Sequence, residues 1–315
     1  MDEITIGASG LRVPRIGIGA MPWSDSTGFG YGSKLGLGEA RGAFEACVSA
    51  GVRLFDTAEI YGFGKSERIL GELVRKESRP TNIATKYAPY PWRLGRGTLV
   101  KALKRSLGRL GVESVDLYQI HFPTPWASIP QLMEGLADAV EAGLTRTVGV
   151  SNYSADQMRE AHAALARRGI PLASNQVEYS LVKRAPETNG VLDACRQLDV
   201  ALIAYCPLGR GALSGKYKRG ASPSDRRRRT RLFQDETLER MAPLLAGMRE
   251  VGRAHGDATP AQVALNWLAR QSHVLPIPGA KNETQARDNA AALDWTMSES
   301  EAARLDALSE SFRSR

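Results

Sequence analysis

Eight apolar runs of strand length, each followed by at least one stretch of helical periodicity at fairly regular spacing, predict a (β/α)8 barrel for this 315-residue chain. Two further observations favour that class over a doubly wound sheet. No GxGxxG turn stands early in the chain, and no shift in composition marks a second domain, so residues 1–315 read as one domain.

The stretch 3–14 carries two short strand signals around Gly7-Ala8-Ser9-Gly10, whose glycines suit a hairpin turn. The run Ile16-Gly17-Ile18-Gly19 opens the barrel pattern. After a glycine-rich loop comes a helix over 37–51, where Ala43, Phe44, Cys47 and Val48 recur at helical spacing. Strand 52–55 precedes a helix over 66–76 with Ser66 as its N-cap, and strand 83–85 precedes a helix over 99–110 stopped by Gly111. Strands 115–120 and 145–150 precede helices over 130–142 and 154–168, closed by Gly143 and Gly169. Strand 172–176 leads to a helix over 188–198, and strand 200–205 leads through a long loop to helices over 236–255 and 260–271. Strand 274–277 precedes a helix over 282–292 that Asn282 can cap, and 298–311 closes the chain as an amphipathic helix.

With 43% hydrophobic and 24% charged residues, the chain has the make-up of a soluble globular protein long enough to bury a large core. No apolar run approaches the roughly 20 residues of a membrane span. The start, Met1-Asp2-Glu3-Ile4, lacks the basic-then-apolar pattern of a secretory leader, which reads as cytoplasmic. Cys47, Cys195 and Cys206 are widely spaced and form no CxxC pair, so they read as reduced thiols rather than a disulfide framework or a zinc site. No two histidines have metal-ligand spacing, and His162, His255 and His273 fall in or beside helical segments as bystanders. The formal charge of +8 raises nucleic acid as a partner, but much of it sits in Asp225-Arg226-Arg227-Arg228-Arg229-Thr230-Arg231 and on helical faces, without interleaved aromatics to stack bases. A small anionic cofactor accounts for the balance better. Gly64-Lys65-Ser66 looks like the end of a phosphate loop, but Glu59 stands where the first glycine is required.

Chemistry gathers where strands end. The run Val52-Arg53-Leu54-Phe55 turns abruptly into Asp56-Thr57-Ala58-Glu59-Ile60-Tyr61-Gly62. The next two strands end in Lys86 and His121. In a parallel barrel these ends share one mouth, which brings Asp56, Lys86 and His121 together with Tyr61 in the first loop. A phenol with an ordinary pKa near 10 exchanges protons at neutral pH only when a neighbour perturbs it, and a nearby cation is the usual one.

The segment 56–62, Thr85-Lys86, Gln119-Ile120-His121 and Gly149-Val150-Ser151-Asn152, in that order and spacing, together resemble the aldo-keto reductase superfamily over nearly the whole chain. The run Ile170-Pro171-Leu172-Ala173-Ser174-Asn175-Gln176-Val177 is similar to bacterial and plant chloroplast-type members. The resemblance implies a barrel plugged by the N-terminal hairpin, a monomer or weak oligomer, NADPH or NADP+ extended across the mouth, and reversible reduction of a small-molecule carbonyl. It implies Tyr61 as general acid, Lys86 lowering its pKa, Asp56 holding Lys86, and His121 orienting the carbonyl oxygen. Some relatives that reduce carbon–carbon double bonds carry glutamate in place of that histidine, and this chain does not.

By the same resemblance Ser151, Asn152 and Gln176 hydrogen-bond the nicotinamide carboxamide and Tyr205 stacks on its ring. Cys206 departs from the family's usual serine. Leu208, Gly211, Ser214 and Lys216 resemble the pyrophosphate loop, and Gly279, Lys281, Gln285 and Asn289 the 2′-phosphate and adenine site. From their place in the loops, Met21, Trp23, Tyr90, Trp92, Phe122 and Trp126 are expected to line an apolar substrate pocket. Two other functions stay open beside the reductase: a cofactor-binding regulatory or redox-sensing subunit, and an alcohol or sugar dehydrogenase working oxidatively.

Overall fold

The computed structural model describes residues 2–24, 36–93, 95 and 97–313; the glycine-rich loop expected before the first helix lies mostly outside the described residues. Two short strands, β1 (Glu3–Thr5) and β2 (Arg12–Pro14), pair antiparallel with Ile4 opposite Val13, as the turn glycines predict. Eight strands follow: β3 (Ile18–Gly19), β4 (Leu54–Asp56), β5 (Asn82–Tyr87), β6 (Val115–Ile120), β7 (Thr145–Ser151), β8 (Leu172–Glu178), β9 (Ala201–Tyr205) and β10 (Val274–Pro276). Each pairs in parallel with its neighbour in chain order. A parallel bridge between Gly19 and Gly279, with Gly17 N–H donating to Pro276 O at 3.0 Å and Gly19 N–H to Pro278 O at 3.0 Å, joins the first strand to the last and closes the barrel.

Helices cover the outside. They are α1 (Leu37–Ser49), α2 (Lys65–Arg75), α3 (Gly97–Leu110), α4 (Ile129–Glu141), α5 (Ala155–Ala166), α6 (Val191–Gln197), α7 (Asp235–Ala254), α8 (Pro260–Ala269), α9 (Glu283–Ala290) and α10 (Glu299–Ser309). Their starts follow local chemistry, since Ser128, Ser154, Thr259 and Ser298 each accept a hydrogen bond from an N3 backbone N–H, and Asn282 caps α9 as expected. Gly111, Gly143 and Gly169 follow α3, α4 and α5 with φ of 69°, 68° and 67°, the left-handed stop that a side chain disfavours. Among the described residues no helix is long and apolar enough to cross a membrane.

Most boundaries shift by one to three residues, and two differ for a reason in the local chemistry. Ser66 does not cap α2: Gly64, at φ 81°, takes that position, and Ser66 lies inside the first turn with its hydroxyl donating to Ala20 O at 3.0 Å and accepting from Thr57 Oγ1 at 2.8 Å. The helix expected over 188–198 begins only at Val191, because a short 3-10 turn over Ala185–Glu187 and the left-handed Gly190 come first.

The core has two parts that alternate along each strand. Outward residues such as Phe55, Ile83 and Tyr118 pack under the helices. Inward residues, including Leu54, Ala84, Leu117, Ala201 and Leu275, meet Ile4, Ile6, Leu11 and Val13 of the hairpin, which plugs the barrel floor. One residue pair further up the same inward face, the side chains become Asp56, Lys86 and Gln119. The floor is therefore dry and apolar, and the mouth is polar.

Helices α2 and α3 approach closely at Gly71, where an added Cβ would lie 2.1 Å from Leu110 O. Alanine has the better helix propensity, yet Gly71→Ala should destabilise the fold by about 1–3 kcal/mol, because backbone cannot move aside cheaply. Urea unfolding would measure it, and an unchanged or raised midpoint would show that the two helices separate freely.

Candidate active site

Strand pairing sets the site. Asp56 ends β4, and on β5 Lys86 stands two residues beyond Ala84, the partner of Asp56 across the sheet. Lys86 is fully buried and Asp56 is 3% exposed. The ammonium spends its three donors on Asp56 Oδ1 at 2.5 Å, Thr57 O at 2.8 Å and Tyr61 Oη at 3.4 Å. Burial alone pulls the lysine pKa down, but the charges and hydrogen bonds of Asp56 and Tyr61 more than offset it, so the net direction is up and the ammonium stays charged. The second carboxylate oxygen of Asp56 accepts from Gln176 Nε2 at 2.9 Å and Gln119 Nε2 at 3.4 Å.

Tyr61 sits half-buried in the loop after β4, in edge-to-face contact with His121 at 5.6 Å between ring centroids. Its pKa is raised, chiefly by burial, with Lys86 pulling the other way and not prevailing. The expected lowering by Lys86 is thus present as a component, and burial outweighs it. The phenol is protonated at neutral pH, as a proton donor must be. Burial, with Lys86 adding to it, pushes the His121 imidazole down to about 3, so this ring is neutral. Its Nδ1 is buried with no hydrogen-bond partner among the described residues.

The residues expected to hold the cofactor form one connected network at the mouth. Ser151 Oγ donates to Gln176 O at 2.7 Å, Asn152 Nδ2 donates to His121 O at 3.1 Å, and Asn152 Oδ1 accepts from Tyr205 Oη at 3.0 Å. Asn152 is left-handed at φ 62°, a strained backbone at a point where three strand ends meet. Cys206 is also left-handed, at φ 50°, and burial pushes its thiol up to about 11. Beyond it Leu208 accepts from Gly211 N–H at 2.9 Å and Ser214 Oγ donates to Gly211 O at 2.7 Å, shaping a kinked turn with Arg210 and Gly211 both left-handed. Lys216 is exposed, and its charge acts on Asp288 of α9.

At the far side, Asn289 Nδ2 donates to Gly279 O at 3.2 Å and Lys281 N–H to Gln285 Oε1 at 3.0 Å, so Gln285 and Asn289 hold the turn that leads into α9. Arg227 hydrogen bonds hold the Asp225 carboxyl below its ordinary range, and the charge of Lys281 adds to this. The donor set fits an extended dinucleotide: amide and hydroxyl groups near Tyr61, a glycine turn, then a lysine at a helix N-terminus where backbone N–H groups favour an anion.

The substrate rim holds a correction. Trp23 is 1% exposed, packs on Phe55 at 6.2 Å and donates from Nε1 to Ala280 O at 2.8 Å. It belongs to the core beneath the rim, because its indole N–H finds a backbone acceptor there. Met21, Tyr90 and Phe122 are half-buried, while Trp92 and Trp126 are 74% and 51% exposed. Tyr90 and Trp92 stack in parallel at 4.7 Å. Gln119 was missed from the sequence, although it stands two residues beyond inward Leu117, a period-2 signal that could have found it. Among the described residues no cluster of three His, Cys, Asp or Glu could hold a metal ion.

A closed parallel barrel whose C-terminal mouth links phenol, ammonium and carboxylate in one hydrogen-bonded line, beside a neutral imidazole, has the arrangement of a barrel enzyme site. The sequence profile of the Aldo/keto reductase family matches residues 15–310. The chloroplastic pyridoxal reductase of Arabidopsis thaliana is 36% identical over 309 residues, spanning 94% of this chain and 83% of its own. An uncharacterised oxidoreductase of Mycobacterium tuberculosis is 40% identical over 307 residues, spanning 96% and 90%. A solved structure of an aldo/keto reductase from Klebsiella pneumoniae in complex with NADP and acetate matches with a TM-score of 0.74 at 27% identity, covering 98% of this chain and 95% of that one. The chain belongs to the aldo/keto reductase family.

The electrostatics of His121 can be checked without turnover. Its ring should stay neutral across pH 5–8, because protonation waits until about 3. Histidine carbon–proton resonances followed by NMR, assigned with His121→Asn, would show no titration of this ring in that window. A midpoint near the ordinary value of about 6.5 would contradict the assignment.

Proposed function

We propose that this protein is an NADPH-dependent reductase of aldehydes or ketones, with Tyr61 as the general acid. The observation that carries the proposal is the line Tyr61 Oη to Lys86 Nζ to Asp56 Oδ1, at 3.4 and 2.5 Å, set beside neutral His121. NADPH, when bound, supplies the hydride. The Tyr61 hydroxyl gives its proton to the carbonyl oxygen as charge develops there, and the adjacent ammonium stabilises the phenolate left behind. Asp56 keeps that buried ammonium charged. A neutral His121 orients the carbonyl oxygen as a hydrogen-bonding group and does not compete with Tyr61 as an acid. In this reading Ser151, Asn152 and Gln176 hold the carboxamide, exchanging their mutual hydrogen bonds for bonds to the cofactor. The NADP in the Klebsiella relative and the reductase activity in the name of the Arabidopsis relative support this reading.

Tyr61→Phe tests the acid. It removes the proton and leaves the dinucleotide contacts alone, so kcat for reduction should fall by about 10²–10⁴-fold with NADPH affinity nearly intact. A variant keeping more than half of the wild-type kcat on a turned-over aromatic aldehyde would rule Tyr61 out.

Lys281 tests the cofactor. It is half-buried next to the capped start of α9, and in this reading it meets the 2′-phosphate that NADH lacks. A charge-assisted contact worth roughly 1.5–3 kcal/mol makes Lys281→Ala weaken NADPH by about 10- to 100-fold and leave NADH almost unchanged. Quenching of tryptophan fluorescence by each cofactor would decide it, equal losses for both removing Lys281 from the site.

A further inference from the structure

The ammonium of Lys86 acts on Tyr61 across 3.4 Å, and the strand that carries it is gripped on both sides by buried carboxylates. Just before Lys86, Thr85 Oγ1 donates to Glu67 Oε1 at 2.7 Å. Two residues after it, just past the end of β5, Ala88 N–H donates to Glu59 Oε1 at 2.8 Å. Each carboxylate has its own arginine: Arg109 Nε donates to Glu67 Oε2 at 2.5 Å, while Arg93 meets Glu59 through both terminal nitrogens, one of them at 3.0 Å from Oε2. Glu67 and Thr85 are fully buried and Glu59 is 9% exposed.

Both glutamates come from the segment that carries Tyr61. Glu59 lies two residues before it, and Glu67 opens α2, whose Ser66 N–H donates to Tyr61 O at 3.3 Å while the Ser66 hydroxyl accepts from Thr57. The phenol and the ammonium are therefore tied together through two separate bridges. A buried ion pair is weak support for stability, since apolar packing of the same volume often does as well. Two such pairs flanking one functional lysine ask for another reason.

We propose that Glu59 and Glu67 are positioning residues that clamp the chain on either side of Lys86, at Thr85 within β5 and at Ala88 just past its end, and so set the distance from its ammonium to the Tyr61 hydroxyl. The inference rests on the reductase reading above. Thr85 points outward and Lys86 inward, as strand alternation requires, so the clamp grips the back of the strand while the front stays in the site. Loosening it by about 1 Å would change the phenol pKa by somewhat under one unit at an effective dielectric constant near 20. The groups that face Tyr61 and Lys86 are Asp56, His121 and Cys206, and those that face the two glutamates are Arg93, Arg109, Tyr87 and Tyr118. None of these is altered by a change at Thr85.

Thr85→Val keeps the shape and deletes the hydroxyl, whereas Thr85→Ser keeps the donor. In the whole enzyme, Thr85→Val should lower kcat about tenfold with the KM for NADPH within about twofold, and move the rise of alcohol oxidation with pH about half a unit or more to the alkaline side, because a retreating cation lowers the phenol pKa less. Thr85→Ser should restore both. Thr85→Ala, which deletes the same hydroxyl without adding bulk, should give the same shift and serves if Thr85→Val does not fold. A lower melting temperature with an unmoved pH profile would mean a structural role only, and would overturn the clamp. Wild type and Tyr61→Phe are run in parallel: an inactive Tyr61→Phe beside an unshifted Thr85→Val sinks the clamp alone, and no wild-type turnover on a carbonyl panel removes the reductase reading and the clamp with it.

Discussion

A lysine ammonium with no solvent exposure, held in a protein interior, is the constraint from which the rest of this site follows. Removing such a charge from water costs several kcal/mol unless every proton finds an acceptor and a counter-charge is close. Lys86 meets both conditions, with Asp56, the Thr57 carbonyl and the Tyr61 hydroxyl as its three acceptors. Asp56 in turn needs donors for its second oxygen, and Gln119 and Gln176 supply them. The polar layer at the barrel mouth is the set of groups needed to keep one cation charged beside one phenol.

The barrel makes that layer possible by separating what is dry from what is wet along a single set of strands. Inward side chains are apolar at the floor, where the hairpin residues Ile4, Ile6, Leu11 and Val13 close the interior, and become polar one residue pair further up, at the mouth. Closure through Gly19 and Gly279 leaves no open edge between the first and last strands. The helices then cover the outer face, so that β5 and β6, which carry Lys86 and lead to His121, are held from both sides.

The rest of the mouth is already organised around groups that can exchange partners. Asn152 is held in a left-handed conformation and bonded to His121 and Tyr205, while Gln285 and Asn289 shape the turn before α9.

What the sequence by itself determined was everything that depends on short-range periodicity. The eight strand and helix pairs, the hairpin, the glycine stops and the strand ends bearing Asp56, Lys86 and His121 could all be read because alternation, capping and turn chemistry act within a few residues. Tertiary structure decided what depends on partners far along the chain. Gln176 reaches Asp56 across 120 residues, and Trp23 sinks into the core because Ala280, 257 residues away, offers a carbonyl. Ser66, a plausible cap by its local sequence, was drawn inward by Ala20 and Thr57. The net rise of the Tyr61 pKa likewise belongs to the assembled site, since it is a balance between burial and the charge of Lys86, and only the packed barrel sets how deep the ring lies and how near the ammonium stands.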